Sequence, residues 1–135
     1  MRLNKYQRAW IAKLKSGETK KAKRTLNHKN GYMCCLGVGI KVCGLEPMPS
    51  TNLTKRPLEV INDEGITYFP KTQSALGLKI GGEFDITKVK KKWLPIIDDC
   101  ETLVGLNDCT NMSHAQIGQF IDENREAVFY SSDKN

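Results

Sequence analysis

The sequence predicts an α+β fold, in which about three main helices surround a buried, cysteine-rich helix and small antiparallel hairpins come from the middle of the chain. Apolar residues recur at helical spacing near both ends of the chain, which predicts helices there. Residues 34–43 contain one charged residue, Lys41, and a helix that is apolar on nearly every side is usually buried. With 135 residues, we expect a single globular domain spanning residues 1–135.

The first helix is predicted over residues 4–15. Asn4 suits the N-cap and Gln7 the third helical position, which together form a capping-box pattern. Apolar side chains at helical spacing should face the core: Leu3, Tyr6, Trp10 and Leu14. Basic side chains should lie on a different face of the same helix: Lys5, Arg8 and Lys15.

Residues 20–33 are strongly basic and include Asn30-Gly31, a tight-turn signal. They predict a short hairpin or an extended arm that brings the chain to the N-terminus of the central helix. That helix should end at Gly44, since glycine readily adopts the left-handed conformation found after helices. Gly37 and Gly39 are poor helix formers, and their presence favours a close approach by another part of the chain.

Two hairpins are predicted in the middle of the chain. Residues 58–61 and 66–69 flank one turn signal, and residues 78–80 and 83–86 flank another, Gly81-Gly82. Residues 72–76 favour one helical turn before Gly77. Residues 88–92 contain four lysines and are typical of an exposed basic strand or loop.

Two further helices are predicted in the C-terminal part. The first covers residues 99–107, with Asp98 or Asp99 as its cap. The last begins at Ser113, with Gln116 at the third helical position completing a capping box. His114 is expected to be an exposed residue of the first turn of this helix.

The charge is distributed unevenly along the chain. Residues 1–56 contain 13 Lys/Arg and 2 Asp/Glu, whereas residues 57–135 contain 8 Lys/Arg and 13 Asp/Glu. A basic half favours an anionic partner such as nucleic acid, a nucleotide or an acidic protein surface, and simple solvation is the alternative. No run of about 18 apolar residues is present, and the N-terminus is not typical of a signal peptide. We therefore expect no membrane association and a cytoplasmic location.

The five cysteines include the adjacent pair Cys34 and Cys35 but no C-x-x-C motif, which predicts reduced thiols packed in the core. A thiol at a helix N-terminus can instead be a nucleophile, because its pKa falls there. His28 or His114 could then act as the base, with Asp108 orienting it. The cysteine and histidine spacing matches no zinc pattern, so we expect neither a metal nor a cofactor.

Three blocks occur in order along the chain: Trp10-Ile-Ala-Lys-Leu-Lys-Ser-Gly17, then Tyr32-Met-Cys-Cys-Leu-Gly-Val38, then Leu106-Asn-Asp108 with Met112-Ser-His-Ala-Gln-Ile-Gly-Gln-Phe-Ile121. They resemble the W-x-x-A-L-R-S-G, Y/F-C-C-L-G-V and L-N-D … S-F-x-x-I-A-x-x-I blocks of small proteins encoded by bacteriophages and prophages. The chain departs from the pattern at Met33, at His114, where an aromatic residue is usual, and at Gly118, where alanine is usual. The resemblance implies a phage origin and, by association, a host–virus role such as counter-defence in the host cell cytoplasm.

The favoured function is a non-enzymatic accessory protein that binds an anionic, nucleotide-like ligand or a host factor. Helix N-termini attract anions, cations hold phosphates, and an aromatic ring can stack on a base. Candidate ligand-binding residues near the start of the central helix are Arg8, Lys13, Lys23, Arg24, His28, Tyr32, Cys34, Asn107 and Asp108. Asn107 and Asp108 are also expected to bond the backbone of the adjacent turn. The alternatives are a nucleic-acid-binding protein that uses the same basic half and a thiol enzyme with Cys34 or Cys35 as nucleophile.

Overall fold

The structure is a computed structural model that describes residues 1–22, 32–47, 66 and 69–129. Its α-helices, in chain order, are α1 (Lys5–Lys15), α2 (Cys35–Cys43), α3 (Pro70–Leu76), α4 (Leu94–Ile97), α5 (Leu103–Cys109), α6 (His114–Glu123) and α7 (Arg125–Val128). Between α3 and α4 the chain forms three short 3₁₀ turns: Ile80–Gly82, Ile86–Lys88 and Lys91–Trp93.

The predicted α+β class is wrong, because the described residues are mostly helical and form no β-sheet. Extended pairing within them consists of two isolated bridges, Lys21 with Met33 and Glu83 with Thr102. The first bridge is parallel, whereas a short hairpin would pair these residues antiparallel. In the part of the chain that the structure describes, helices pack on helices and no layer of hairpins is present.

The turn at Gly81-Gly82 shows why the second hairpin was predicted wrongly. Both glycines have positive φ, 66° and 69°, and they lie in a 3₁₀ turn rather than between paired strands. Glycine reaches this conformation in many kinds of turn, so a Gly-Gly pair does not require strands beside it. Residues 88–92 form turns and not a strand, although their four lysines are exposed as expected. The other predicted hairpin, apart from Ile66 and Phe69, lies outside the described residues.

The capping box predicted for α1 is confirmed. Asn4 Oδ1 accepts a hydrogen bond from Gln7 N at 2.8 Å, and Gln7 Oε1 accepts one from Asn4 N at 2.9 Å. The same two side chains donate to the carbonyl oxygens of Ala75 and Leu76 at the end of α3, at 2.8 and 3.1 Å. One pair of residues thus satisfies donors at the start of α1 and acceptors at the end of α3.

The burial of α2 is also confirmed. Seven of its nine residues are buried, Lys41 is exposed, and Gly44 ends the helix with a φ of 63°. The close approach expected at Gly39 is present, since a Cβ there would lie 2.7 Å from Leu76 Cδ1 and 3.3 Å from Trp10 Nε1. Trp10 is fully buried, and its Nε1 donates to the carbonyl oxygen of Cys35 at 2.9 Å.

Helix α1 packs against both α6 and α2. The contact with α6 is close at Gly118, where a Cβ would lie 3.0 Å from the backbone nitrogen of Lys15 and 2.9 Å from Leu14 Cβ. A larger residue at this position would have to push the two helices apart. The glycine therefore sets the distance between α1 and α6.

The helix predicted over residues 99–107 begins later than expected. Asp98 and Asp99 have positive φ, 49° and 65°, so neither has the extended conformation of an N-cap residue. Instead Thr102 is the N-cap of α5, and its Oγ1 accepts a hydrogen bond from Gly105 N at 2.9 Å.

The start predicted for the last helix is confirmed, since Ser113 Oγ accepts from Gln116 N at 3.2 Å and Gln116 Oε1 accepts from Ser113 N at 2.8 Å. Ser113→Ala should lower the free energy of unfolding by about 1 kcal/mol, because it leaves a helix donor without its acceptor. Urea denaturation would measure the change. Ser74→Ala, at an exposed position inside α3, is the matched control and should not lower the free energy of unfolding, because alanine is the better helix former. If the two substitutions changed the free energy of unfolding equally, the hydrogen bond from Gln116 N to Ser113 Oγ would not be stabilising the helix.

Candidate functional site

The start of α2, where an anion site was predicted, lies in the protein interior. Cys34 is the N-cap of the helix, and its Sγ accepts from Gly37 N at 3.4 Å. Asn107 Oδ1 accepts from Cys35 N at 3.1 Å. Cys34 is 7% exposed and Asn107 is fully buried. Two of the backbone donors that would attract an anion are therefore already bonded within the protein.

Asn107 joins three separate segments of the chain. Besides accepting from Cys35 N, its amide Nδ2 donates to the carbonyl oxygen of Ala22 at 2.8 Å and to Asp108 Oδ1 at 2.9 Å. The sequence suggested bonds to the adjacent turn, but Cys35 and Ala22 are 72 and 85 positions away. Since its carbonyl oxygen and its amide nitrogen are both engaged, this side chain holds the start of α2 and the chain around Ala22 against α5.

The thiols of Cys34 and Cys35 are in an environment that disfavours the thiolate. Burial raises the pKa of Cys34 to about 12, although the backbone N–H groups of Gly37 and Leu36 act in the opposite direction. Burial also raises the pKa of Cys35 well above its ordinary value, and the neighbouring Cys34 and Asp108 act in the same sense. A nucleophilic cysteine needs a lowered pKa and access to solvent, so this geometry favours packing over reactivity. That neither thiol is catalytic stays a prediction.

The other candidate residues are distributed over α1 and the segments that follow it. Arg8 is exposed, and its Nη1 donates to the carbonyl oxygen of Leu3 at 2.6 Å. Lys13 forms an ion pair with Glu18 at 2.6 Å. Tyr32 is 41% exposed and directly precedes the bridge residue Met33. Three of the candidates lie outside the described residues: Lys23, Arg24 and His28.

The outer face of α1 presents the basic surface that the sequence predicted. Lys5, Arg8 and Lys15 are exposed on it, with the small side chain of Ala12 between them. Lys15 Nζ is also 2.9 Å from Asp122 Oδ2 on α6.

Sequence reasoning missed the part that Lys21 plays near this site. Its Nζ donates to the carbonyl oxygens of Thr110 at 2.9 Å and Met112 at 2.8 Å, immediately after the end of α5. A cation at a helix C-terminus is stabilising because it neutralises the unpaired carbonyl groups. The ammonium group of Lys21 therefore stabilises the chain between α5 and α6 through these two hydrogen bonds.

His114 was predicted to be exposed, and that prediction is wrong. It is 2% exposed, and its Nδ1 lies 2.6 Å from Thr19 Oγ1. Burial lowers the pKa of His114 to about 4, and the positive charge of Lys21 acts in the same direction. The imidazole is thus neutral at physiological pH.

Comparison of the chain with protein-family models, with curated proteins and with solved structures finds no match. Within the described residues, no three His, Cys, Asp or Glu side chains are grouped so that they could hold a metal ion. No helix in the same part of the chain is long and apolar enough to cross a membrane.

Proposed function

We propose that this protein is a non-enzymatic, phage-encoded accessory protein whose basic N-terminal half binds an anionic partner, either a nucleotide-like ligand or the acidic surface of a host factor. The observation that carries the proposal is the charge of residues 1–56, which hold 13 Lys/Arg and 2 Asp/Glu. Exposed cations on the outer face of α1 support it, because partner-binding charges must be accessible.

We assign the contact to the outer face of α1 and the exposed Lys20 rather than to the start of α2. At the start of α2, Asn107 and Cys34 occupy two of the helix donors, and the carboxyl group of Asp108 is close by. A negatively charged neighbour disfavours an anion. On α1, by contrast, Lys5 and Arg8 are one helical turn apart and exposed.

The absence of catalysis in this proposal is supported by the chemistry of the thiols. A thiol enzyme requires a nucleophile that is ionised or easily deprotonated near neutral pH. Burial raises the pKa of both Cys34 and Cys35. The candidate base His114 contacts Thr19 through its Nδ1. Rapid alkylation of Cys35 by iodoacetamide in the native protein would favour the enzyme alternative instead.

Reversing two exposed charges tests the proposal. Lys5→Glu/Lys20→Glu should weaken binding of the anionic partner by about 2 kcal/mol, because each cation's interaction with an anionic group is lost and replaced by repulsion. Calorimetry would measure the binding affinities of the wild type and the variant at two salt concentrations. The ligands are mono-, di- and cyclic nucleotides, short single-stranded DNA and an acidic peptide. The free energy of unfolding should change little, since both side chains are exposed.

Lys79→Glu/Lys88→Glu is the matched control, because it makes the same change in net charge at two exposed lysines outside the basic half. The control should bind like the wild type. If it weakens binding as much as the first variant, only net charge matters and the assigned face is wrong. If the wild type binds none of these ligands, the basic half serves solvation and the proposal fails.

Nucleic-acid binding through the same face is the second candidate, favoured by the row of cations on α1. Arg8 and Lys15 are seven positions apart, which places them on one side of the helix about 10 Å from each other. Binding of single-stranded DNA whose affinity falls steeply with salt would favour this candidate, since each phosphate contact releases counterions. A nucleotide binds with a shallower dependence because it carries few phosphates.

A further inference from the structure

Residues 90–99 carry opposite charges at their two ends. Their sequence is Lys-Lys-Lys-Trp-Leu-Pro-Ile-Ile-Asp-Asp, so three lysines precede the single turn α4 and two aspartates follow it. All five charged residues are exposed. The segment is independent of the basic N-terminal half, and the inference does not depend on the proposed function.

The segment is held firmly on the surface of the molecule. Trp93 and Ile97 are 8% and 1% exposed, and Trp93 Nε1 donates to Glu123 Oε1 at 2.9 Å. The backbone nitrogen of Lys90 donates to Asn124 Oδ1 at 2.8 Å. These contacts with α6 and the residue after it order the segment before any partner arrives, which lowers the entropic cost of binding.

The outer side of α4 is an apolar ridge. Trp93 and Ile97 are four positions apart and face inward together, so the three residues between them lie around the outer side of the turn. Leu94 is 40% exposed and Ile96 is 49% exposed, with the exposed Pro95 between them. Adjacent exposed aliphatic side chains of this size suit a contact that removes them from water.

The arrangement of charges identifies the kind of partner. A uniformly anionic bilayer or a polyphosphate would be repelled by Asp98 and Asp99 next to the ridge. Leu94 and Ile96 have no aromatic ring on which a nucleic-acid base could stack. The partner must therefore combine an apolar centre with carboxylates on one side and cations on the other, and a second copy of this chain, turned by a two-fold rotation, has that pattern.

We propose that two copies of this protein associate through residues 90–99 in a two-fold symmetric contact. Leu94 and Ile96 of the two copies pack together at the centre, and Lys90 and Lys91 of each copy face the aspartates of the other. One short segment contributes less than the roughly 800 Å² per partner of a standard interface. The dimer is therefore weak and depends on protein concentration.

Sedimentation equilibrium over a range of protein and salt concentrations tests the proposal. The dimer fraction of the wild type should rise with protein concentration and fall with salt, because salt screens the exposed charges. Leu94→Ser/Ile96→Ser should remain monomeric at the same concentrations while its urea denaturation stays like that of the wild type. A wild type that is monomeric throughout, or a serine variant that dimerises like it, would overturn the proposal.

Charge variants test the pairing itself. Asp98→Asn/Asp99→Asn removes both negative charges with a residue that tolerates positive φ, and Lys90→Glu/Lys91→Glu reverses two positive ones. Each variant alone should raise the dissociation constant on the order of tenfold, since each charge pair occurs twice in a symmetric contact.

A mixture of the two charge variants should dimerise more tightly than the Lys90→Glu/Lys91→Glu variant does alone, because the mixed dimer replaces two sets of repulsions with one set of attractions. Lys5→Glu/Lys20→Glu is the matched control for the lysine variant and should dimerise like the wild type. If the control weakens the dimer equally, or if mixing has no effect, the proposed pairing is wrong.

Discussion

Asn107→Asp should lower the free energy of unfolding by about 3–5 kcal/mol, because it places an uncompensated charge in the interior. The introduced carboxylate can still accept the hydrogen bond from Cys35 N. It cannot donate to the carbonyl oxygen of Ala22 or to Asp108 Oδ1, and it would instead repel both oxygens. Urea denaturation of the purified variant at neutral pH would measure the loss.

Asn111→Asp is the matched control for this substitution, since it makes the same chemical change at an exposed position four residues away. It should alter stability by less than about 0.5 kcal/mol. The difference in free energy of unfolding between the two variants should shrink at acidic pH. The carboxyl group introduced at position 107 is then protonated and can again donate a hydrogen bond to Ala22 or Asp108. Equal stabilities at neutral pH would show that Asn107 does not join α2 to α5.

The wild-type protein should lose stability as the pH falls from about 6.5 to about 4, through the protonation of His114 in the unfolded chain. Its pKa in the folded protein is lowered to about 4 by burial and by the charge of Lys21, whereas 6.5 is its ordinary value. Between these values the unfolded state binds a proton that the folded state does not, so stability rises with pH over this window. The free energy of unfolding should fall by roughly 3 kcal/mol in total across this window. This contribution to stability is complete above about pH 6.5.

The pH effect is checked by urea denaturation at several pH values for the wild type and His114→Gln. The variant cannot take up this proton, so its stability should depend less on pH over the same window. His28 is present in both proteins, so its contribution cancels in the comparison. Parallel pH profiles would mean that His114 titrates normally and is not buried against Thr19.

The buried groups at positions 107 and 114 explain why a functional site was hard to find from sequence. The Asn-Asp pair at 107–108 and the histidine at 114 are residue types typical of ligand sites. The tertiary structure instead uses Asn107 to bond the backbone of Cys35 and Ala22, and it places His114 against Thr19. Neither arrangement could be predicted, because the three partners lie 72, 85 and 95 positions away.

The β component was predicted from turn signals with short strand-like runs on either side, and this was insufficient. Gly81-Gly82 and the residues on either side are compatible with a hairpin, but a hairpin needs a neighbouring surface that accepts its strands. Here Gly82 packs against the side chain of Leu103, close enough that a Cβ would lie 2.8 Å from it. The contact with α5 decided that this region forms compact turns.

Local structure in this protein was determined by the sequence itself. The capping boxes at Asn4 and Ser113, the left-handed end of α2 at Gly44 and the burial of α2 all follow from residues within one or two helical turns of each other. Such interactions form wherever the chain folds, so the pattern alone predicts them.

Only the tertiary structure decided which polar groups are buried and what they bind. Glu46 shows the physical reason: partial burial acts to raise its pKa, yet donors from Thr72 and Lys71 lower it, and its carboxylate caps the start of α3 from 25 and 26 positions away. Asn107 and His114 are the same kind of case. A buried polar group needs a partner, and the sequence does not show which distant group packing will bring within reach. At His114 packing supplies Thr19 Oγ1 for Nδ1, whereas the buried Nε2 has no hydrogen-bond partner among the described residues.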